Sequence, residues 1–514
     1  MFFLFDFNLF DEFNVLCMCM VSKKFDESLK NFVEKRYIED IIEDHVVFFV
    51  MFFVEMYCSS IYEDFECKKL GRPRLDAKNM LTLILYCHMI KLFSPEDISE
   101  FTKTDSVFKL IMEGVSVSRT SVRRYREYFR KYYQEILAKT LMFAYDYDLT
   151  CFDRVAIDGT ILKACNAPFN YITKKDLRRL LRILKNKRYG VSEVVLLKKP
   201  AQKFYYNKNM TVEQKIMFLE EAKIQMKIYG KKKIPLYDPE ARWMMNKKKK
   251  KQISYNIQTC VDTTSQLFLS VYASQNATDH YELPPTLQKA IENSPQKPKE
   301  VLADAGYNTE ITFSFLKEEN IEGYIYNATQ SRIDKGKRRT NPFSLDNVEI
   351  HYTENYIECF MGYPLFNEYT YRVHDEKKTA KGLPDETKRI YVNTEACKDC
   401  PLRKECLSEK QHHKTYTIYG SPEKREMITK MKEKTAKEIY KQRAPTVESP
   451  FGTLKQFYHI DTIFYRGREK IENMMNLYAI AYNLKKIYEK LKTTLTEDKR
   501  YITFIQKTRN KYTT

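Results

Sequence analysis

An aspartate at the exit of a buried strand can hold a cation, because the sheet fixes where its carboxylate stands. The chain carries two such arrangements. In residues 154–160, R-V-A-I-D-G-T, the apolar run Val155-Ala156-Ile157 suits a strand buried on both faces, and Asp158 follows at once. Gly159 can then take the positive φ that ends a strand abruptly. In V-L-A-D-A-G, residues 301–306, Asp304 again closes a short apolar strand. A single Asp-Gly reads as a turn or a helix cap; the second copy raises both above that reading. If the strands are neighbours, the two carboxylates share one edge and repel unless a cation lies between them. Hard oxygen ligands with waters favour Mg²⁺.

A second chemistry lies in EACKDCPLRKECL, where Cys397, Cys400 and Cys406 space three thiolates in a basic loop as a tetrahedral Zn²⁺ site needs. Cys359, in YIECFMGYPL, is the first candidate for the fourth ligand, and His412 or His413 is the alternative. The remaining cysteines are scattered singly among apolar residues, which suits a reducing compartment and one metal site, not a disulfide framework. The cluster reads as a staple holding an insertion.

The bulk numbers name the partner class. A net charge of +19 over 514 residues, laid down in several basic runs, calls for a polyanion, and nucleic acid fits better than an anionic membrane surface. With 43% hydrophobic and 14% aromatic residues, a disordered chain is excluded, and the length suits two to four domains. The apolar N-terminus lacks a basic n-region and is interrupted by Asp6, Asp11 and Glu12, which makes a poor signal peptide. The run VVFFVMFFV at 46–54 is too short to span a bilayer and reads as a buried helix. A cytoplasmic, nucleoid-associated protein is expected.

The elements that must position these groups can be read in order. Residues 1–37 are an extension of unknown role, and 38–150 read as a helical domain. Within it, Ser94-Pro95 is a helix start, and Ser118 opens another helix that carries Arg119, Arg123, Arg124 and Arg126 with tyrosines interleaved. With the short helix before it, this segment has a helix-turn-helix look suited to DNA, while an amphipathic core helix with a solvated basic face fits equally well. A basic helical insertion follows Asp158 at about 173–250. Then come a hairpin from Ser254, a helix starting at Asp279-His280-Tyr281-Glu282, the strand ending in Asp304, a helix, and the strand Ile321–Tyr326. This is an α/β order, and in such sheets ligands gather at the carboxyl ends of the strands. Residues 327–430 hold the cysteines, and in 431–492 Glu448 and Lys455 would share a helix face two turns apart, with a break expected at Pro450-Phe451-Gly452. The helix after Arg466-Gly467 has an apolar stripe for packing on the sheet, and 493–514 read as a basic tail.

Taken together, A-I-D-G-T at 156–160, Y-N-I-Q-T at 255–259, A-D-A-G-Y at 303–307, and Tyr440-x2-Arg443 leading to Glu448-x6-Lys455 resemble the DDE transposases of bacterial insertion sequences. Arg466-Gly467, the Gly71-Arg72-Pro73 loop and Ser118 to Arg126 extend the resemblance over roughly 38–490. Four residues separate Arg443 from Glu448, where some relatives have three. The resemblance implies an RNase H-like mixed α/β core and metal-dependent cleavage and strand transfer at terminal inverted repeats. Asp158, Asp304 and Glu448 would hold two Mg²⁺ or Mn²⁺ ions about 4 Å apart. Tyr440, Arg443 and Lys455 would position phosphates or a flanking base, and a homodimer or larger assembly would bridge two ends of double-stranded DNA. The similar subgroup carries a four-cysteine insertion before its glutamate, which supports Cys359 as the fourth Zn²⁺ ligand. The competing functions are a transposase-derived DNA-binding protein that no longer cuts, and a nuclease of the same fold that cuts without rejoining.

Overall fold

The computed structural model describes residues 45–63 and 74–513, apart from 187–190, 229, 231, 247–248, 335, 337–340, 374–385, 420–421, 459, 461–462 and 464. The expected extension 1–37 and the Gly71-Arg72-Pro73 loop lie outside the described residues. The chain divides into two compact units, residues 145–476 and residues 1–144 with 477–514.

In the first of these units the strands are β1 (Arg154–Lys163), β2 (Tyr171–Thr173), β3 (Lys233–Pro235), β4 (Arg242–Met245), β5 (Lys251–Asp262), β6 (Phe268–Ser274), β7 (Glu300–Ala303) and β8 (Glu322–Ile325). The main sheet has the order β4-β5-β1-β7-β8, with β6 paired to β5. β1 runs antiparallel to β5 and parallel to β7, and β7 runs parallel to β8. Val155, Ala156, Ile157, Val301, Leu302 and Ala303 are all fully buried, as a central parallel pair requires. The β5–β6 turn is held by Asp262, whose Oδ2 accepts from the Ser265 amide at 2.6 Å and the Thr150 hydroxyl at 2.8 Å.

Gly159 corrects one expectation. It does not end the strand: β1 continues to Lys163 and Gly159 pairs with Gln258, without a positive φ. Its reason is space, since a Cβ here would lie 2.3 Å from Gln258 Nε2.

The basic insertion builds its own small core. Leu177, Leu180, Leu181 and Ile183 of the helix Lys174–Lys185 pack with Phe204, Leu219, Ala222 and Ile234, leaving the lysines and arginines of that helix outside. The chain returns to the sheet through a clasp: buried Asp238 Oδ1 accepts from Tyr255 hydroxyl at 2.6 Å and from the Gly467 amide at 3.3 Å. Tyr255→Phe leaves that carboxyl short of a partner and is expected to cost about 1–3 kcal/mol of unfolding free energy, read by urea denaturation.

After β8, strands β9 (Glu349–His351), β10 (Tyr356–Glu358), β11 (Pro364–Val373), β12 (Glu386–Val392) and β13 (Thr415–Tyr419) form an antiparallel meander around Ile357, Leu365, Tyr391, Tyr416 and Ile418. The helix Arg443–Phe457 then runs unbroken through Pro450, so the expected break does not occur. Val447, Phe451 and Leu454 anchor one face in the core, and that burial offsets the lost backbone bond at Pro450.

In the other unit, every described element is a helix. Val46–Tyr57 is the buried helix expected from VVFFVMFFV, and Ser94 caps Pro95–Thr104 by accepting from the Asp97 amide at 3.2 Å. Two sequence expectations change here. The helix Arg468–Leu495 does meet the sheet region near its start, where Glu472 accepts from the Ala273 amide at 2.9 Å and from Lys289. From Leu477 onward it belongs with the N-terminal helices, for example through Asn483 Nδ2 to Thr140 Oγ1 at 3.1 Å. The expected basic tail is a helix, Lys499–Thr513, whose Tyr501 and Phe504 pack edge-on against Phe52.

Candidate active site

β1 and β7 are in parallel register with Ile157 opposite Ala303, so Asp158 and Asp304 each follow the last pair of that ladder; Asp304 leaves β7, whereas Asp158 is not at a strand exit as expected, because β1 runs on along β5 to Lys163. Each carboxylate has one oxygen tied to nearby backbone. Asp158 Oδ1 accepts from the Gly159 amide at 2.9 Å, and Asp304 Oδ1 accepts from the Gly306 amide at 2.7 Å. The second oxygens remain for other partners, and one of them, Asp158 Oδ2, lies 3.7 Å from Arg443 Nη1.

Burial pushes the Asp158 carboxyl up to about 6; Arg443 opposes this, while the charges of Asp304 and Asp279 add to it. Arg443 lies against the Tyr440 ring, 6.0 Å from its centroid, and Tyr440 packs edge-on against Tyr326 at 4.6 Å. Burial alone would lower the Arg443 pKa, but Tyr440, Asp158 and Asp304 raise it, so the guanidinium stays charged beside the acids. Lys455 Nζ donates to Thr160 Oγ1 on β1 at 2.5 Å, which ties the helix Arg443–Phe457 to the strand of Asp158. Glu448 is exposed on that helix, two turns before Lys455.

Asp279 escaped the sequence reading. It looked like a helix start, but the helix is Leu283–Asn293, and Asp279 instead turns its carboxylate toward Asn256 and Gln258 of β5. Only the regular spacing of polar Asn256 and Gln258 in a buried strand hinted at a partner.

Among the described residues, no combination of Asp158, Asp279, Asp304 and Glu448 forms a trio with ligand atoms all within 4.8 Å. The trio that does is Glu349, His351 and Glu358, on β9 and β10, where the two glutamates pair across the strands.

The four cysteines lie around one cavity in the meander region, although no three of their Sγ atoms lie within 4.8 Å of one another. Cys359, Cys397, Cys400 and Cys406 line one cavity of about 30 Å³, and Cys397 Sγ accepts from the Lys414 amide at 3.4 Å. Burial raises the Cys406 thiol, Lys414 opposes it, and the other three cysteines raise it further.

The arginines of the helix Arg119–Phe129 divide. Arg119, Arg123 and Arg124 are exposed, and the first two face Glu96. Arg126 is turned inward, with Nη1 donating to the Phe93 carbonyl at 2.7 Å, so its first role is to hold the fold. The helical repeat puts it one turn from buried Val122 and Phe129.

Residues 368–488 match the family model of the transposase DDE domain. That stretch takes in Tyr440, Arg443, Glu448, Lys455 and three of the four cysteines, while Asp158 and Asp304 lie before it. No curated protein sequence matches the chain. Among solved structures it is similar to the piggyBac transposase synaptic complex with hairpin DNA, at a TM-score of 0.33 and 9% identity, over 92% of this chain and 80% of that one. No described helix is long and apolar enough to cross a membrane.

The raised Asp158 carboxyl has a measurable consequence. Its folded value of about 6 exceeds the ordinary 3.8, so the folded state holds the proton more tightly and loses that advantage as pH rises from about 4 to 6. In cation-free protein, the stability of wild type relative to Asp158→Asn is expected to fall across that window in thermal melts. A cation held by this carboxylate would compete with its proton, so Mn²⁺ affinity is expected to weaken as pH is lowered through 6.

Proposed function

We propose that the chain is a transposase that cuts and rejoins DNA at the ends of a bacterial insertion sequence, using divalent cations held by Asp158, Asp304 and Glu448. The observation that carries this reading is the pair Asp158 and Asp304, which follow the last pair of the parallel β1–β7 ladder, with the helix of Glu448 and Lys455 fastened to β1. The sheet order, with one antiparallel ribbon on β1 and two parallel strands beyond it, supports an RNase H-like core. The transposase DDE domain match over 368–488 supports the assignment of Glu448.

The residues fit Mg²⁺ or Mn²⁺. They offer hard oxygens, each aspartate keeps one oxygen away from its backbone amide, and the charge they gather is costly without a counter-ion. Bound cations would activate the attacking oxygen and stabilise the leaving 3′ oxygen of an in-line displacement. Arg443, charged and backed by Tyr440, would hold a phosphate next to Asp158. Lys455 would do so near Thr160. The exposed lysines and arginines of the helix Lys174–Lys185, and Arg119, Arg123 and Arg124, would add salt-sensitive contacts to the duplex. Two DNA ends imply a homodimer or larger assembly. The four cysteines would hold a structural Zn²⁺ that ties the turn at Cys359 to the segment 397–406.

The test is an incubation of the full chain with duplex DNA carrying the sequences that flank its gene, with Mg²⁺ or with EDTA. Mg²⁺-dependent nicks with 3′-OH ends, followed by joining to a target plasmid, are expected. Nicks without joining would make the protein a nuclease, and a gel shift without nicks would make it a DNA-binding protein.

A further inference from the structure

We propose that Asp279 is a fourth carboxylate of the cation site, reaching the cation through a coordinated water; this rests on the cation-dependent chemistry proposed above. Asp279 Oδ1 is occupied: it accepts from Asn256 Nδ2 at 2.8 Å and from Gln258 Nε2 at 2.6 Å. Gln258 is held in turn by the hydroxyl of Tyr307, a fully buried residue three positions after Asp304. This chain of contacts fixes the carboxylate beside Gly159 and Gly306.

Neither glycine leaves room for a side chain. A Cβ on Gly159 would come 2.8 Å from Asp279 Oδ1. A Cβ on Gly306 would lie 2.9 Å from Asp304 Oδ1 and 3.7 Å from Asp279 Oδ2, so both carboxylates crowd one point. Bare glycine at both positions is what lets the third acid in.

Its negative charge is not needed for its hydrogen bonds. An asparagine could accept the same two amide N–H groups through its own Oδ1. Carrying a charge here instead sets a third like charge against Asp158 and Asp304. A carboxylate that serves only the fold gains nothing from that repulsion, whereas one that faces a cation does. The acids are too widely spaced for three of them to share one inner coordination sphere. Mg²⁺ characteristically keeps several waters, and carboxylates that hydrogen-bond such waters tune affinity from outside.

The experiment measures Mn²⁺ binding to the full chain by the electron paramagnetic resonance signal of free Mn²⁺, for wild type, Asp304→Asn and Asp279→Asn, with a thermal melt of each. Asp279→Asn keeps the contacts to Asn256 and Gln258, so it is expected to melt at or above the wild-type temperature while Mn²⁺ affinity falls about 10–100-fold. If wild type binds Mn²⁺, Asp304→Asn loses it, and Asp279→Asn binds like wild type, this inference is overturned and the proposed function stands. If wild type binds no Mn²⁺, the proposed function falls and this inference with it. Should Asp279→Asn not fold, Asp279→Ser is read in its place with the same outcomes.

Discussion

Asp304→Asn is expected to abolish Mg²⁺-dependent cleavage while leaving DNA affinity within a factor of a few of wild type. Asp304 stands at the end of β7 with one oxygen on the Gly306 amide, and asparagine can keep that bond through its own oxygen. What asparagine cannot supply is the charge. Losing a cation that stabilises charge in the transition state removes several kcal/mol, which is roughly a thousandfold in rate or more. The duplex contacts proposed above are made by basic residues on other elements, so a gel shift should change little. Cleavage by Asp304→Asn at anything near the wild-type rate would exclude this carboxylate from the chemistry.

Cys400→Ser is expected to strip zinc from the protein and loosen the meander region. The four thiols line one cavity, so removing one leaves three ligands for an ion that structural sites hold with four. Partners that only touch a metal's ligands cost 10–100-fold when lost, so a ligand itself should cost more than about 100-fold in zinc affinity. Elemental analysis after dialysis should find one zinc per wild-type chain and little in the variant, and limited proteolysis should cut the variant faster within β9 to β13. A wild type that is purified from zinc-supplemented cells without zinc would contradict the assignment.

The two aspartates were legible because a buried parallel strand writes itself as an unbroken apolar run, and the first charge marks where the parallel pairing of β1 and β7 stops. Register did the rest, since Ile157 opposite Ala303 places the next residue of each strand at one edge. The hairpin after Ser254 was legible for a similar reason, its turn residues lying between two runs with a strand period.

Other features were hidden by local ambiguity. Asp279 precedes a true helix by four residues, which is how a cap looks, and only the tertiary approach of Asn256 and Gln258 reveals its direction. Gly159 has the composition of a strand end, yet its role is to admit neighbouring side chains. Pro450 suggested a break that the buried positions Val447, Phe451 and Leu454 override. In the last segment the charges drew attention from Tyr501, Phe504, Ile505 and Thr508, whose spacing of three, four and seven is that of one buried helix face. The meander β9 to β13 has a core of few residues from distant strands, and no single window of sequence displays it.

The central claim is that cations held by Asp158, Asp304 and Glu448 act on the leaving 3′ oxygen of a DNA strand. Once the nick is mapped, that oxygen can be replaced by sulfur in a synthetic duplex, and cleavage can be followed in Mg²⁺ and in Mn²⁺. Mg²⁺ binds sulfur poorly and softer Mn²⁺ binds it better. Cleavage lost in Mg²⁺ and restored in Mn²⁺ is the expected result, whereas equal cleavage in both ions would contradict a cation at the leaving oxygen.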